Sequence, residues 1–75
     1  MNIRVFGNLN DIIKSPPEIE FPVTLGEFRG ILYAKFPELE SLVIKIAINQ
    51  QITEDEALLL TENSEIALLP PFSGG

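Results

Sequence analysis

Neither cysteine nor histidine occurs anywhere in the 75 residues. Their absence removes disulfides, thiol nucleophiles, iron–sulfur ligation by cysteine, imidazole bases and zinc sites of the usual ligand types. Cations are scarce too: five Lys and Arg stand against eleven Asp and Glu, a formal charge of −6. Such a surface repels phosphate backbones and anionic lipid head groups, so no nucleic acid and no membrane is expected as a partner, whereas a basic protein surface is. No segment approaches the ~18 apolar residues that span a bilayer, and the N-terminus lacks the apolar stretch of a signal peptide. The expected location is cytoplasmic. A phosphate-binding glycine loop, a nucleophile–base pair and a metal constellation are all missing, so the chain is not expected to be catalytic alone.

What is present is globular in composition, with 45% hydrophobic and 21% charged residues. A chain this short holds one core and therefore one domain. Ile3 and Val5 alternate with Arg4 and Phe6 as in a half-buried strand, interrupted by Gly7-Asn8. Residues 8–14 have room for one helical turn before Pro16-Pro17. Ile19, Phe21 and Val23 alternate with Glu18, Glu20 and Pro22, which predicts a second strand at a sheet edge.

Thr24 and Glu27 have the spacing of a capping box, with Val23 and Phe28 at the staple positions, so a helix should begin at Thr24. Its predicted apolar stripe is Leu25, Phe28, Ile31, Leu32 and Phe36, and Pro37 ends it. Gly26 and Gly30 lie off that stripe and read as tolerated weak points, or else as a close-contact docking face. Ile44, Ile46 and Ile48 predict a strand that turns at Asn49-Gln50 into Gln51-Ile52. Residues 53–56 repeat the capping-box spacing before a short apolar run that reads as one helical turn or an irregular crossing. Residues 65–69 predict a last strand, stopped by Pro70-Pro71. The order is strand, strand, helix, strand, short strand, final strand, an α+β arrangement with one main helix packed across one face of a mixed sheet. That is the order of a β-grasp, ubiquitin-like fold, expected over residues 1–69 and followed by a flexible tail, 70–75.

The tail is chemically the most distinctive part of the chain. Two terminal glycines are in themselves compatible with a frayed end. Here Pro70-Pro71 stiffens the exit from the last strand, and Gly74-Gly75 supplies a tip without side chains that can thread a narrow channel. A terminal glycine also leaves its carboxylate unshielded, open to conversion into an acyl-adenylate and then to attack by a sulfur or nitrogen nucleophile. The glutamates at i, i+2 spacing (Glu18 and Glu20, Glu38 and Glu40, Glu54 and Glu56) read as a solvated surface rather than a cation site.

Leu68-Leu69-Pro70-Pro71-Phe72-Ser73-Gly74-Gly75 resembles the C-terminal motif of the small subunit of molybdopterin synthase, a ubiquitin-like sulfur-carrier family. The likeness extends to Ala47-Ile48-Asn49-Gln50 and Glu65-Ile66-Ala67; Asn63-Ser64 departs from the Gly-Asp frequent in such carriers, a turn that Asn can serve through its tolerance of left-handed backbone. The resemblance implies that Gly75 is adenylated and converted to a thiocarboxylate, whose sulfur passes to cyclic pyranopterin monophosphate to build the dithiolene of molybdopterin. It implies as partners the large catalytic subunit of molybdopterin synthase, an adenylating enzyme related to those that activate ubiquitin, and a sulfur donor protein. ATP and magnesium would be used by the activating enzyme, with no cofactor bound by this chain.

By the same carry-over Gly74 gives clearance, and Pro70, Pro71, Phe72 and Ser73 position the tail against the partner; Phe72 either anchors in a partner pocket or folds back onto the domain. Phe6 and Leu69 fall on the sheet face away from the helix if Ile3, Val5, Ile66 and Leu68 face it, which makes an apolar patch for the large subunit. Three alternatives stay open: a thiamine-biosynthesis sulfur carrier, a ubiquitin-like protein modifier joined to lysine, and a β-grasp interaction module with an inert tail.

Overall fold

A computed structural model describes residues 2–70. Strand β1 (Asn2–Val5) leads into a 3-10 helix, Gly7–Asp11, and β2 (Val23–Thr24) follows after an irregular stretch. Helix α1 (Leu25–Lys35) comes next, then a second 3-10 helix, Pro37–Ser41, and strands β3 (Lys45–Ile48), β4 (Gln51–Ile52), β5 (Leu59–Leu60) and β6 (Glu65–Leu69).

Four strands form the main sheet in the order β1-β6-β3-β4. The sheet is mixed: β1 runs parallel to β6, and β3 runs antiparallel to both β6 and β4. Strands β2 and β5 pair separately as an antiparallel ribbon. The helix buries Leu25, Phe28 and Leu32 against Ile46, Ile48, Ile66 and Leu68 of the sheet, and Leu9, Ile13, Leu39 and Leu60 close the margins of the same core. One helix across one face of a mixed sheet is the β-grasp arrangement anticipated from the order of elements.

The helix begins where its capping signal lies. The Thr24 hydroxyl accepts from the Glu27 backbone N–H at 3.1 Å, and the Glu27 carboxylate accepts from the Thr24 backbone N–H at 2.9 Å. Two orphan donors of the first turn are thereby satisfied reciprocally. The expected stripe is corrected at one position: Ile31 is exposed. At about 100° per residue it lies roughly 90° from the middle of the line through Leu25, Phe28 and Leu32. Gly26 has a structural reason that its sequence context did not reveal. A Cβ there would meet Glu56 atoms from 3.2 Å outward, and the Gly26 N–H donates to the Glu56 carbonyl at 3.0 Å, so the 53–58 crossing lies directly on the helix start. Around Gly30 the space is open, as a tolerated weak point requires.

Other segments refine the sequence reading. The predicted strand over 19–23 shrinks to Val23–Thr24, because Pro16, Pro17 and Pro22 offer no donors; the alternation itself holds, with Ile19, Phe21 and Val23 packed against the core and Glu18, Glu20 and Pro22 exposed, but Ile19 and Phe21 pair with no strand. Of the two readings of 53–56 the irregular crossing holds: Asp55 accepts from the Ala57 N–H through its side chain and from the Leu58 N–H through its carbonyl, which closes one turn and leads into β5. Strand β5 itself was missed, since two leucines carry no alternation. In the 61–64 turn Asn63 is not left-handed; the Ser64 N–H donates to the Thr61 carbonyl and the Ser64 hydroxyl accepts from the Thr61 N–H, both at 3.0 Å.

The β3–β4 connection is a two-residue loop, Asn49 and Gln50, with φ of 51° and 70°. Left-handed backbone at both positions matches the right-handed twist of the flanking strands. Asn49 also extends the β3–β6 ladder: its N–H donates to the Glu65 carbonyl at 2.8 Å, and its side-chain oxygen accepts from the Glu65 N–H at 2.9 Å. The start of β6 is thus tied to β3 by one residue. Among the described residues no helix is long and apolar enough to cross a membrane.

The capping and turn geometry makes three outcomes testable. Thr24→Ala should lower the unfolding free energy by about 1 kcal/mol in urea titrations. The Thr24 backbone N–H, and after it the Thr24 hydroxyl, donate to the Glu27 carboxylate and hold its pKa below the ordinary value. That stabilisation is present above the ordinary glutamate pKa and is lost as pH falls through the depressed one, so the stability gap between the wild type and Glu27→Gln should close on acidification. At the turn, Asn49→Ala should cost more than Asn49→Gly, by roughly 1 kcal/mol, because alanine loses the same hydrogen bond and also pays for left-handed backbone. Equal losses for the two variants would contradict this account.

Candidate functional site

Strand β6 decides where the tail begins. It lies between β1 and β3, with Ile66 and Leu68 buried toward the helix and Ala67 and Leu69 half-buried on the other face. Pro70, the first residue past the strand, is half-buried. Pro71, Phe72, Ser73, Gly74 and Gly75 lie outside the described residues, so of the expected site only Phe6, Leu69 and Pro70 are placed.

Those three come together at one end of the sheet. The Phe6 N–H donates to the Leu68 carbonyl at 3.0 Å, extending the β1–β6 ladder one residue past the Val5–Leu68 pair, which sets Phe6 beside Leu69. Phe6 is 42% exposed, whereas Ile3 and Val5 pack against the core cluster, so the alternation of β1 turns Phe6 to the outer face. Pro70 rests against Gly7: a Cβ on Gly7 would stand only 2.9 Å from the Pro70 Cγ.

Register extends the outer face beyond Phe6 and Leu69. Arg4 pairs with Ala67, Ala67 with Ala47, and Ala47 with Ile52, so one row across four strands holds Arg4, two alanines and an Ile52 that is 56% exposed. In the next row Leu69 pairs with Lys45. This face therefore combines apolar area with Arg4 and Lys45, two of the five basic residues of the chain. The net negative charge hid that local character. Sequence reasoning identified Phe6 and Leu69 but missed Ile52, Arg4 and Lys45, whose common signal is strand alternation on either side of the central strand.

The rest of the surface offers less. A groove of about 300 Å³ is lined by Phe21, Pro22, Leu59, Thr61, Glu62 and Asn63, near the N-terminal end of β6 and so at the end opposite the tail. The paired glutamates are exposed, and Glu56 approaches Arg29 at 3.8 Å. An exposed pair of that kind is worth little. What the arrangement offers chemically is an anchored strand, an apolar and basic face beside its last residue, and a tail that starts at that face.

Known proteins place this geometry. The fold is shared with the crystal structure of SAMP1 from Haloferax volcanii, at a TM-score of 0.70 and 23% identity over 97% of this chain and 96% of that one. A second crystal structure, of H. volcanii small archaeal modifier protein 1, matches at a TM-score of 0.69 and 20% identity, covering 93% of this chain and 94% of that one. At these identities the likeness establishes the ubiquitin-like β-grasp fold alone. Residues 3–75 match the ThiS family, nearly the full length including the Gly-Gly end, and the chain therefore belongs to the ThiS family of ubiquitin-like sulfur carriers.

Proposed function

We propose that this chain is the sulfur-carrier subunit of a molybdopterin synthase, with Gly75 as its reactive residue. The observation that carries the reading is the ending Pro70-Pro71-Phe72-Ser73-Gly74-Gly75 on a ThiS-family chain whose last strand is the anchored centre of the sheet. The Gly75 carboxylate attacks the α-phosphorus of ATP on an activating enzyme and expels pyrophosphate. Hydrosulfide, released by a donor protein, then displaces AMP from the acyl-adenylate and leaves a thiocarboxylate. In the synthase large subunit the thiocarboxylate sulfur forms a C–S bond to cyclic pyranopterin monophosphate as a C–O bond of that substrate breaks, and water then hydrolyses the acyl–sulfur bond and restores the carboxylate. The chain contributes an acyl group and its delivery; the catalytic groups, ATP and magnesium belong to its partners.

The outer sheet face supplies the docking surface in this reading. Phe6 and Leu69 give apolar contact at the root of the tail, with Arg4 and Lys45 on either side of that strip to pair with partner carboxylates. Residues 1–69 act as the rigid handle, and Pro71, Phe72, Ser73 and Gly74 guide the tip into the partner's channel.

A second reading, ligation of Gly75 to a lysine amine of a target, is favoured by the fold shared with a small archaeal modifier protein. Activation is common to both; they differ in the nucleophile that receives the acyl group.

Intact mass spectrometry after incubation with a molybdopterin-synthase activating enzyme, ATP, magnesium and a sulfide source should show one oxygen replaced by sulfur, mapped to Gly75. A chain with one residue appended after Gly75 should fold normally and lose sulfur transfer. Retained synthase activity in that extended chain would refute the carrier reading, and covalent adducts with cellular proteins would favour the modifier.

A further inference from the structure

Gly7 and Pro70 meet where β1 ends and the tail begins, and the contact is closer than any other residue at position 7 allows. Gly7 has φ of +61°, a conformation that side chains of L-residues rarely adopt. A Cβ added there would come within 2.9 Å of the Pro70 Cγ and 3.6 Å of its Cδ. Carbon atoms settle at about 3.5 Å or more, so the ring would have to move.

The turn that holds Gly7 is itself locked. Asn10 donates through its side-chain amide to the Val5 carbonyl at 3.0 Å and to the Gly7 carbonyl at 3.1 Å, which ties the end of β1 to the 3-10 helix Gly7–Asp11. Leu9 of that helix is fully buried in the core and accepts, through its carbonyl, from the N–H groups of Ile12 and Ile13. On the other side the Phe6 N–H holds the Leu68 carbonyl, two residues before Pro70. Pro70 therefore stands between a strand bonded on both sides and a turn pinned by a side-chain amide. Its own ring also restricts φ to about −65°.

We propose that the Gly7–Asn10 turn is a positioning element for the tail: by seating the Pro70 ring it sets the direction in which the chain leaves β6. Gly7 and Asn10 touch no reacting atom and act through Pro70. The inference rests on the carrier reading for its purpose, since a bound tail whose root is already aimed holds its terminal carboxylate closer to attacking geometry. The direction of the root is nevertheless a property of this chain alone and is measurable without a partner.

The test uses Gly7→Ala, Pro70→Ala and the double variant. The chain has no cysteine, so Ser41→Cys and Ser73→Cys accept a nitroxide pair without background labelling. Pulsed electron–electron distance measurement between positions 41 and 73 should give a shifted or broader distribution in each single variant. The double variant should be perturbed less than the sum of the two single variants, because trimming the ring removes the collision that Gly7→Ala creates and leaves only the strain of alanine at a left-handed φ. In thiocarboxylate formation by the activating enzyme, kcat should fall by about tenfold or more with KM nearly unchanged, given that misplacement by about 1 Å is worth on the order of 10²-fold. A merely structural role would instead reduce the folded fraction and raise KM.

Distance distributions identical to the wild type in both single variants, or losses confined to KM, would overturn the proposal. Should Gly7→Ala fail to fold, Pro70→Ala carries the test by itself. If the wild-type chain is not converted by the activating enzyme, the carrier reading fails while the distance distributions still decide whether the turn aims the tail.

Discussion

The hydrogen-bond ladders on both sides of β6 hold the arrangement together. The strand pairs in parallel with β1 over four residues and antiparallel with β3 over four, and it contributes Ile66 and Leu68 to the core. A strand bonded on both edges opens only with the whole domain. Among the described residues that strand is the last one, so Pro70 leaves from a part of the sheet bonded on both edges. In the carrier reading proposed above, delivery of a terminal group asks for a firmly held root.

Charge is distributed to the same end. The excess of carboxylates makes the molecule as a whole repel polyanions and other copies of itself. The outer sheet face beside the root of the tail departs from that average, holding Arg4 and Lys45 with Phe6, Leu69 and Ile52. In the proposed carrier reading, long-range attraction toward a basic partner and short-range docking through an apolar, locally basic face operate at different distances. The first sets the rate of encounter and the second the fit.

Local irregularities of the fold have physical causes of the same kind. Proline at 16, 17 and 22 takes the first excursion out of the sheet and leaves β2 to pair with β5. Gly26 admits the 53–58 crossing onto the start of the helix, and Gly7 admits Pro70. In both places a missing Cβ allows two backbone segments to touch that are distant in sequence.

Much of the architecture was legible in the sequence, where a local rule suffices. The capping box at Thr24 and Glu27, the alternation of 44–48, the turn at Asn49-Gln50 and the prolines that end β6 each act over a few residues, and each appears where it was read. The Gly-Gly end and the Pro-Pro exit gave the sequence reading its chemistry, and all of that segment but Pro70 lies outside the described residues. Tertiary structure decided the rest. Periodicity counted Ile31 into the stripe but could not fix which arc of the helix meets the sheet, and alternation could not show that Ile19 and Phe21 would pack without pairing. Nor could it place Arg4, Lys45 and Ile52 on one face or bring Gly7 against Pro70, because those placements depend on the pairing of strands from opposite ends of the chain, Arg4 with Ala67 and Gly7 with Pro70 lying 63 positions apart. Sequence spacing determines what a segment favours by itself; only the closed sheet determines which segments meet.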